Sequence, residues 1–125
     1  MSQVITTETA PAAIGSYSQA IKAGNTIYLS GQIPLDPETM TIVEGGINAQ
    51  VEQVFENLQN VVVAAGGNMN AIAKLTVYLM DLSHITVVNE AIKNYFQQPY
   101  PARTSIQVAG LPKNSAVEID AIMVL

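Results

Sequence analysis

A chain of 125 residues, 49% hydrophobic and only 12% charged, is long enough for one packed core and too short for two. No apolar run reaches the ~18 residues of a membrane-spanning helix. The start, MSQVITTETAPAAIG, lacks the basic and apolar stretches of a signal peptide, and the absence of cysteine removes disulfides, thiolate metal sites and cysteine nucleophiles.

In chain order, the first apolar segment, within MSQVITTE, is too short to assign a partner. SQAIKA and TIYLSG flank Gly24-Asn25 and read as a β-hairpin. Asp36-Pro37, in LDPETMTIV, predicts a turn ahead of a short strand. From Ile47 the period changes. Val51, Val54, Phe55, Leu58, Val61, Val62 and Ala65 recur at helical spacing with polar residues between them, and Gly66-Gly67 supplies a left-handed stop. AIAKLTVYLMDL reads as a strand with Leu75, Val77 and Leu79 on one side. A second helix is expected from about Ser83 to Phe96, with Val88, Ala91, Ile92, Tyr95 and Phe96 inward, ended by Pro99 and Pro101. Two last strands, near Thr104 to Val108 and Ala116 to Leu125, lie either side of AGLPKN.

This order gives a single α+β domain over residues 1–125, a two-layer mixed sheet with two helices on one face. The other face has no helix left to cover it. Together with the apolar composition, that points to a cytoplasmic protein that associates with copies of itself. Net charge is −5, and five Lys or Arg stand singly along the chain. Nucleic-acid binders need clustered cations, so this distribution counts against nucleic acid as a partner.

Few residues carry chemistry. Arg103 is the only arginine, in the stretch PYPARTSIQV. Alone it reads equally as a surface arginine worth ~0–1 kcal/mol in an ion pair. Held away from water, it becomes a two-pronged grip on a carboxylate. On the last strand Glu118 and Asp120 share a face opposite Val117, Ile119 and Ala121, and the pattern does not choose between them. His84 is the only histidine and reads as an ordinary exposed side chain; with no cysteine beside it, a zinc site or serine triad lacks parts. GGIN and AAGGN lack the spacing of phosphate-cradling loops, and no cofactor or metal is indicated.

APAAIGSYSQA, YLSGQIP, LTVYLMDL, VVNEAIKNYF, YPARTSIQV and LPKNSAVEIDAI, in that order and over nearly the whole chain, resemble the Rid (RidA/YjgF) family of reactive enamine/imine deaminases. SGQIP, and PAR followed some fifteen residues later by VEI, are the most specific pieces. The resemblance implies a chorismate-mutase-like fold, a homotrimer with clefts between subunits, and hydrolysis of 2-iminobutanoate and 2-iminopropanoate to 2-keto acids and ammonia. It assigns Arg103 to the substrate carboxylate, with the Gly31 N–H beside it. Glu118 becomes the acid/base that orients water, and Tyr17 a cleft hydroxyl. Ser30, Asn89 and Ser105 line or support the cleft, Ser105 standing where well-known members carry cysteine. Ser16 replaces the proline usual before the tyrosine, and Gly110 stands where some members have arginine.

Overall fold

The protein is described by a computed structural model covering residues 2–125. Its elements are β1 (Ser2–Ile5), β2 (Ala20–Ala23), β3 (Thr26–Gln32), α1 (Gly46–Ala64), β4 (Ile72–Leu79), α2 (Ile85–Tyr95), β5 (Ala102–Gln107) and β6 (Val117–Val124). The six strands form one sheet in the order β1-β2-β3-β6-β4-β5. All neighbours run antiparallel except β4 and β5, the pair that α2 connects. The last strand is thus inserted between β3 and β4. The α+β reading, with a mixed sheet and two helices, holds.

The helices form where the apolar spacing places them. Val51, Val54, Phe55, Leu58, Val61 and Val62 of α1 are buried, as are Val88 and Ile92 of α2. They meet Leu75, Val77 and Leu79 of β4 and Val117, Ile119, Ala121 and Met123 of β6 in one core. Full burial of such a side chain contributes about 1.5–3 kcal/mol. Phe55 stacks on Tyr95 at 5.3 Å and meets Phe96 edge-on at 6.0 Å, locking α1 to α2. At the end of α1, Gly66 takes φ +88° while its N–H bonds Val63 O and the Gly67 N–H bonds Val62 O. That is the reciprocal pair of bonds by which a left-handed glycine satisfies the last carbonyls of a helix.

Three local readings change. The short strand expected after Asp36-Pro37 is a single bridge between Leu35 and Ile42. Asp36 Oδ1 accepts from Glu38 N–H at 2.8 Å and Met40 turns left-handed, so the chain reverses before a ladder can form. The second helix starts at Ile85, because Leu82–His84 makes a tighter 3₁₀ turn capped by the Asp81 side chain. β1, unassignable from sequence, pairs with β2 from Ser2↔Ala23 to Ile5↔Ala20.

One face of the sheet carries the helices and the other is open. Across the open face the register aligns Val4, Ile21, Tyr28 and Ile122 in a row. Val4 is 59% and Tyr28 52% exposed in the isolated chain, a large apolar strip left in water.

Gly66→Ala would force a Cβ into the left-handed region, a cost of about 1 kcal/mol. The expected result is a lower urea midpoint with an unchanged slope. An unchanged midpoint would show that the cap contributes nothing.

Candidate active site

A recess of about 580 Å³ opens where the end of β3 meets β6 and the loop before β2. Tyr17, Ser30, Gly31 and Glu118 line it together, so four residues singled out in the sequence share one wall. Backbone irregularity makes the space. Leu29 pairs with Ala121, yet Gln32 pairs with Ile119, so β3 bulges by one residue at Ser30-Gly31. The bulge brings Gly31 under the Glu118 side chain. A Cβ on Gly31 would strike that carboxylate and lie 3.0 Å from its Cδ. Gly31 lies outside the positive-φ region, so close approach is the reason a glycine fits here. Tyr17 is exposed at the mouth. Its loop is fixed from below by buried Gln19, whose amide donates to Pro11 O at 2.8 Å and Thr7 O at 3.0 Å and accepts from Thr7 N–H at 2.7 Å. Ser30 N–H donates to Gln19 O at 3.0 Å, tying the loop to β3.

The two acids of β6 differ in partners. Asp120 accepts a hydrogen bond from the Tyr78 hydroxyl at 2.9 Å. Glu118 makes no such side-chain bond among the described residues, and burial, with Asp120 as a like charge nearby, raises its pKa above the usual carboxylate range. A half-buried carboxylate that favours its proton, next to open space, has the properties of a general base. The Tyr78 hydroxyl is also pushed up, first by its bond to Asp120 and then by burial, so it stays a donor to that carboxylate.

Arg103 lies elsewhere. In parallel register it pairs with Leu75, whose side chain is in the core, so it points to the helix side of edge strand β5. There its Nη1 donates to Asn89 Oδ1 on α2 at 2.8 Å. Both line a second recess, of about 350 Å³, with Tyr100, Pro101, Leu75 and Ile92. Glu118 pairs with Tyr78 and faces the open side. Within a single chain the sheet separates Gly31 from Arg103, so the side-by-side placement that the resemblance implies would need two subunits. The guanidinium is exposed in the isolated chain, because β5 is an edge strand with nothing beyond it.

Ser105 shares the face of Arg103, and its buried Oγ has no hydrogen-bond partner. His84 is half-buried, not exposed, since it closes the turn that starts α2. Sequence reading missed Met40, Pro112 and Lys113, which complete the rim of the larger recess. LPKN showed only a turn, and its lysine was the available signal. No cluster of potential metal ligands occurs among the described residues.

The family profile Endoribonuclease L-PSP matches residues 7–125. A mouse 2-iminobutanoate/2-iminopropanoate deaminase is 48% identical over 98% of this chain and 90% of its own length. The crystal structure of RidA from the Antarctic bacterium Psychrobacter superposes with a TM-score of 0.95 at 52% identity, covering 98% of this chain and 99% of that one. TdcF of E. coli, solved with bound serine, gives 0.93 at 40% identity over 98% of each chain.

Because the Glu118 pKa is raised, ionisation works against the folded state. The stability tied to its neutral form is complete below the ordinary value of 4.5 and is lost as pH rises through the raised value. Glu118→Gln, uncharged throughout, should therefore melt above the unsubstituted protein at neutral pH and converge with it in acid. Parallel melting curves at both pH values would remove the desolvated carboxylate from the account.

Proposed function

The chain belongs to the endoribonuclease L-PSP (RidA/YjgF) family, and on that footing we propose that it hydrolyses 2-iminobutanoate and 2-iminopropanoate to the 2-keto acids and ammonia. The observation that carries the reading is Glu118: a carboxylate of raised pKa, standing over Gly31 in a recess with Tyr17 at its mouth.

Each step has a residue. The Arg103 guanidinium holds the substrate carboxylate through two parallel hydrogen bonds, kept in aim by Asn89. The Gly31 N–H adds a third donor and the Tyr17 hydroxyl steadies the water. Glu118 takes a proton from that water as its oxygen bonds to the imine carbon, and the C=N electron pair moves to nitrogen, which picks up a proton from solvent, repaid when the carbinolamine hydroxyl later loses its own. Glu118 then returns its proton to the amino group of the carbinolamine. The C–N bond breaks, ammonia departs with that electron pair, and C=O forms as the hydroxyl proton is lost. Water in and ammonia out balance, with neither oxidant nor cofactor consumed. The raised pKa makes Glu118 a stronger base than an ordinary carboxylate, which suits a group that must accept a proton and then return it.

Since the sheet separates Arg103 from Glu118, the complete site is shared: one protomer supplies Arg103, Asn89 and Ser105, its neighbour Tyr17, Ser30, Gly31 and Glu118. Self-association through the open face, as a homotrimer, brings them together and covers the exposed row around Tyr28. A second reading, small-metabolite binding without turnover, draws on the relative solved with serine. Nucleic-acid cleavage, which the family's name suggests, is opposed by the net charge of −5 and the scattered cations.

The test generates 2-iminobutanoate with threonine dehydratase and traps it with semicarbazide. The protein should lower trapped imine and speed keto-acid release, while Arg103→Ala and Glu118→Gln homo-oligomers behave as if no protein were added. Unfolding and reassembling the two inactive variants together in equal amounts should restore about a quarter of full activity, the share of interfaces that randomly join an intact Arg103 to an intact Glu118. No recovery in reassembled mixtures would refute the shared site. Keto-acid binding without imine turnover would favour the second reading.

A further inference from the structure

Among the described residues, three that are not glycine have positive φ: Met40 at 58°, Lys113 at 54° and Asn114 at 56°. All three lie in the two loops that meet over the larger recess. Met40 closes the turn that follows Asp36, and Lys113 and Asn114 form the turn between β5 and β6. Asparagine tolerates this backbone region, whereas methionine and lysine are disfavoured there. Disfavoured backbone of this kind persists where surroundings enforce it, and gathers at functional sites.

The bases of both loops are anchored on α1. Fully buried Asn57 donates its amide to Leu35 O at 2.9 Å, and Gln50 Oε1 accepts from Ala116 N–H at 2.8 Å. Their tips are joined to each other: Lys113 Nζ donates to Met40 O at 3.4 Å, and both residues line the recess. Lys113 has no carboxylate in ion-pair range among the described residues, the one such pair being Lys93 with Glu90. Its charge therefore serves no surface ion pair, and its backbone would be better suited by glycine.

We propose that Lys113 is a positioning residue that clasps the two loops across the mouth of the Glu118 recess and sets the size of substrate admitted. The proposal rests on the deaminase reading of that recess and adds a specificity determinant to it. With the clasp made, the Pro112 and Met40 walls are held at one spacing, which favours short imino acids. Without it, the tips separate while their bases stay pinned by Asn57 and Gln50. Contacts to a small substrate then weaken and a bulky side chain gains entry.

Lys113→Gly and Lys113→Arg separate this role from a purely structural one, because glycine relieves the backbone while removing the ammonium. For Lys113→Gly the melting temperature should hold or rise, yet KM for 2-iminopropanoate should rise about fivefold with kcat within about twofold, the scale of one lost hydrogen bond. The ratio of kcat/KM for a phenylalanine-derived imine to that for 2-iminopropanoate should increase at least about threefold. Lys113→Arg should restore most of both. Calorimetric Kd values for 2-ketobutanoate should follow KM, and they keep the clasp testable apart from catalysis. An unsubstituted protein that binds the keto acid but turns over no imine would defeat the deaminase reading, leaving the Kd comparison to decide on Lys113. Unchanged KM, Kd and substrate ratio in Lys113→Gly would overturn the clasp, as would affinity lost in step with melting temperature.

Discussion

Successive side chains of a β-strand point to opposite faces of its sheet, and the chemistry proposed for this protein is organised by that rule. Arg103 is in register with Leu75, and Glu118 with Tyr78. Leu75 and Tyr78 are three residues apart on the same strand, so their partners face opposite sides. No rotamer change or loop movement carries either group through a sheet whose interior is packed with Leu75, Val77, Ile119 and Ala121. A lone cation and a carboxylate of raised pKa therefore stay apart in one chain, and the proposed reaction requires them to meet across an interface. The proposed reaction thus asks for a second copy, as does the exposed apolar surface.

Within the acidic corner, hydrogen bonding divides labour that sequence left undivided. Glu118 and Asp120 occupy equivalent alternating positions, and nothing in VEID distinguishes them. Tyr78 does, by giving its hydroxyl to Asp120. Burial first, and then this like-charged neighbour two residues away, make it harder to ionise Glu118. The bulge at Ser30-Gly31 completes the arrangement, because only a residue without a side chain lets the Glu118 carboxyl lie flat against the strand.

Legibility followed the range of the interactions involved. The two helices, the Gly24-Asn25 hairpin and the Gly66-Gly67 stop depend on residues close in sequence, and periodicity or turn chemistry reveals them. Insertion of β6 between β3 and β4, and the pairing of β1, depend on contacts across most of the chain that no local pattern encodes. The site divided along the same line. Tyr17, Ser30, Gly31 and Glu118 were named from motifs, and they share a recess. The face taken by Arg103 required the register of β5 on β4, and the rim residues Met40 and Lys113 required backbone angles of a kind that sequence signals well only at glycine.

The open face is graded, and the gradient fixes where an interface must end. Towards β1 it presents Val4, Ile21, Tyr28 and Ile122, whose covering is favourable. Towards the other end it presents Thr76, Asp120, Tyr78 and Glu118, whose complete removal from water costs free energy unless each polar atom is paired. Tyr78 and Asp120 pair with each other; Glu118 is left over. A neighbour packed on this face, as proposed, would gain from covering the apolar row and lose by sealing the Glu118 corner, so close contact would stop short and leave a cleft there. The substrate proposed for that cleft carries a carboxylate that suits the neighbour's guanidinium and an electrophilic carbon that suits a base. The unsatisfied group that would limit the interface is thus the same group that the proposed reaction uses.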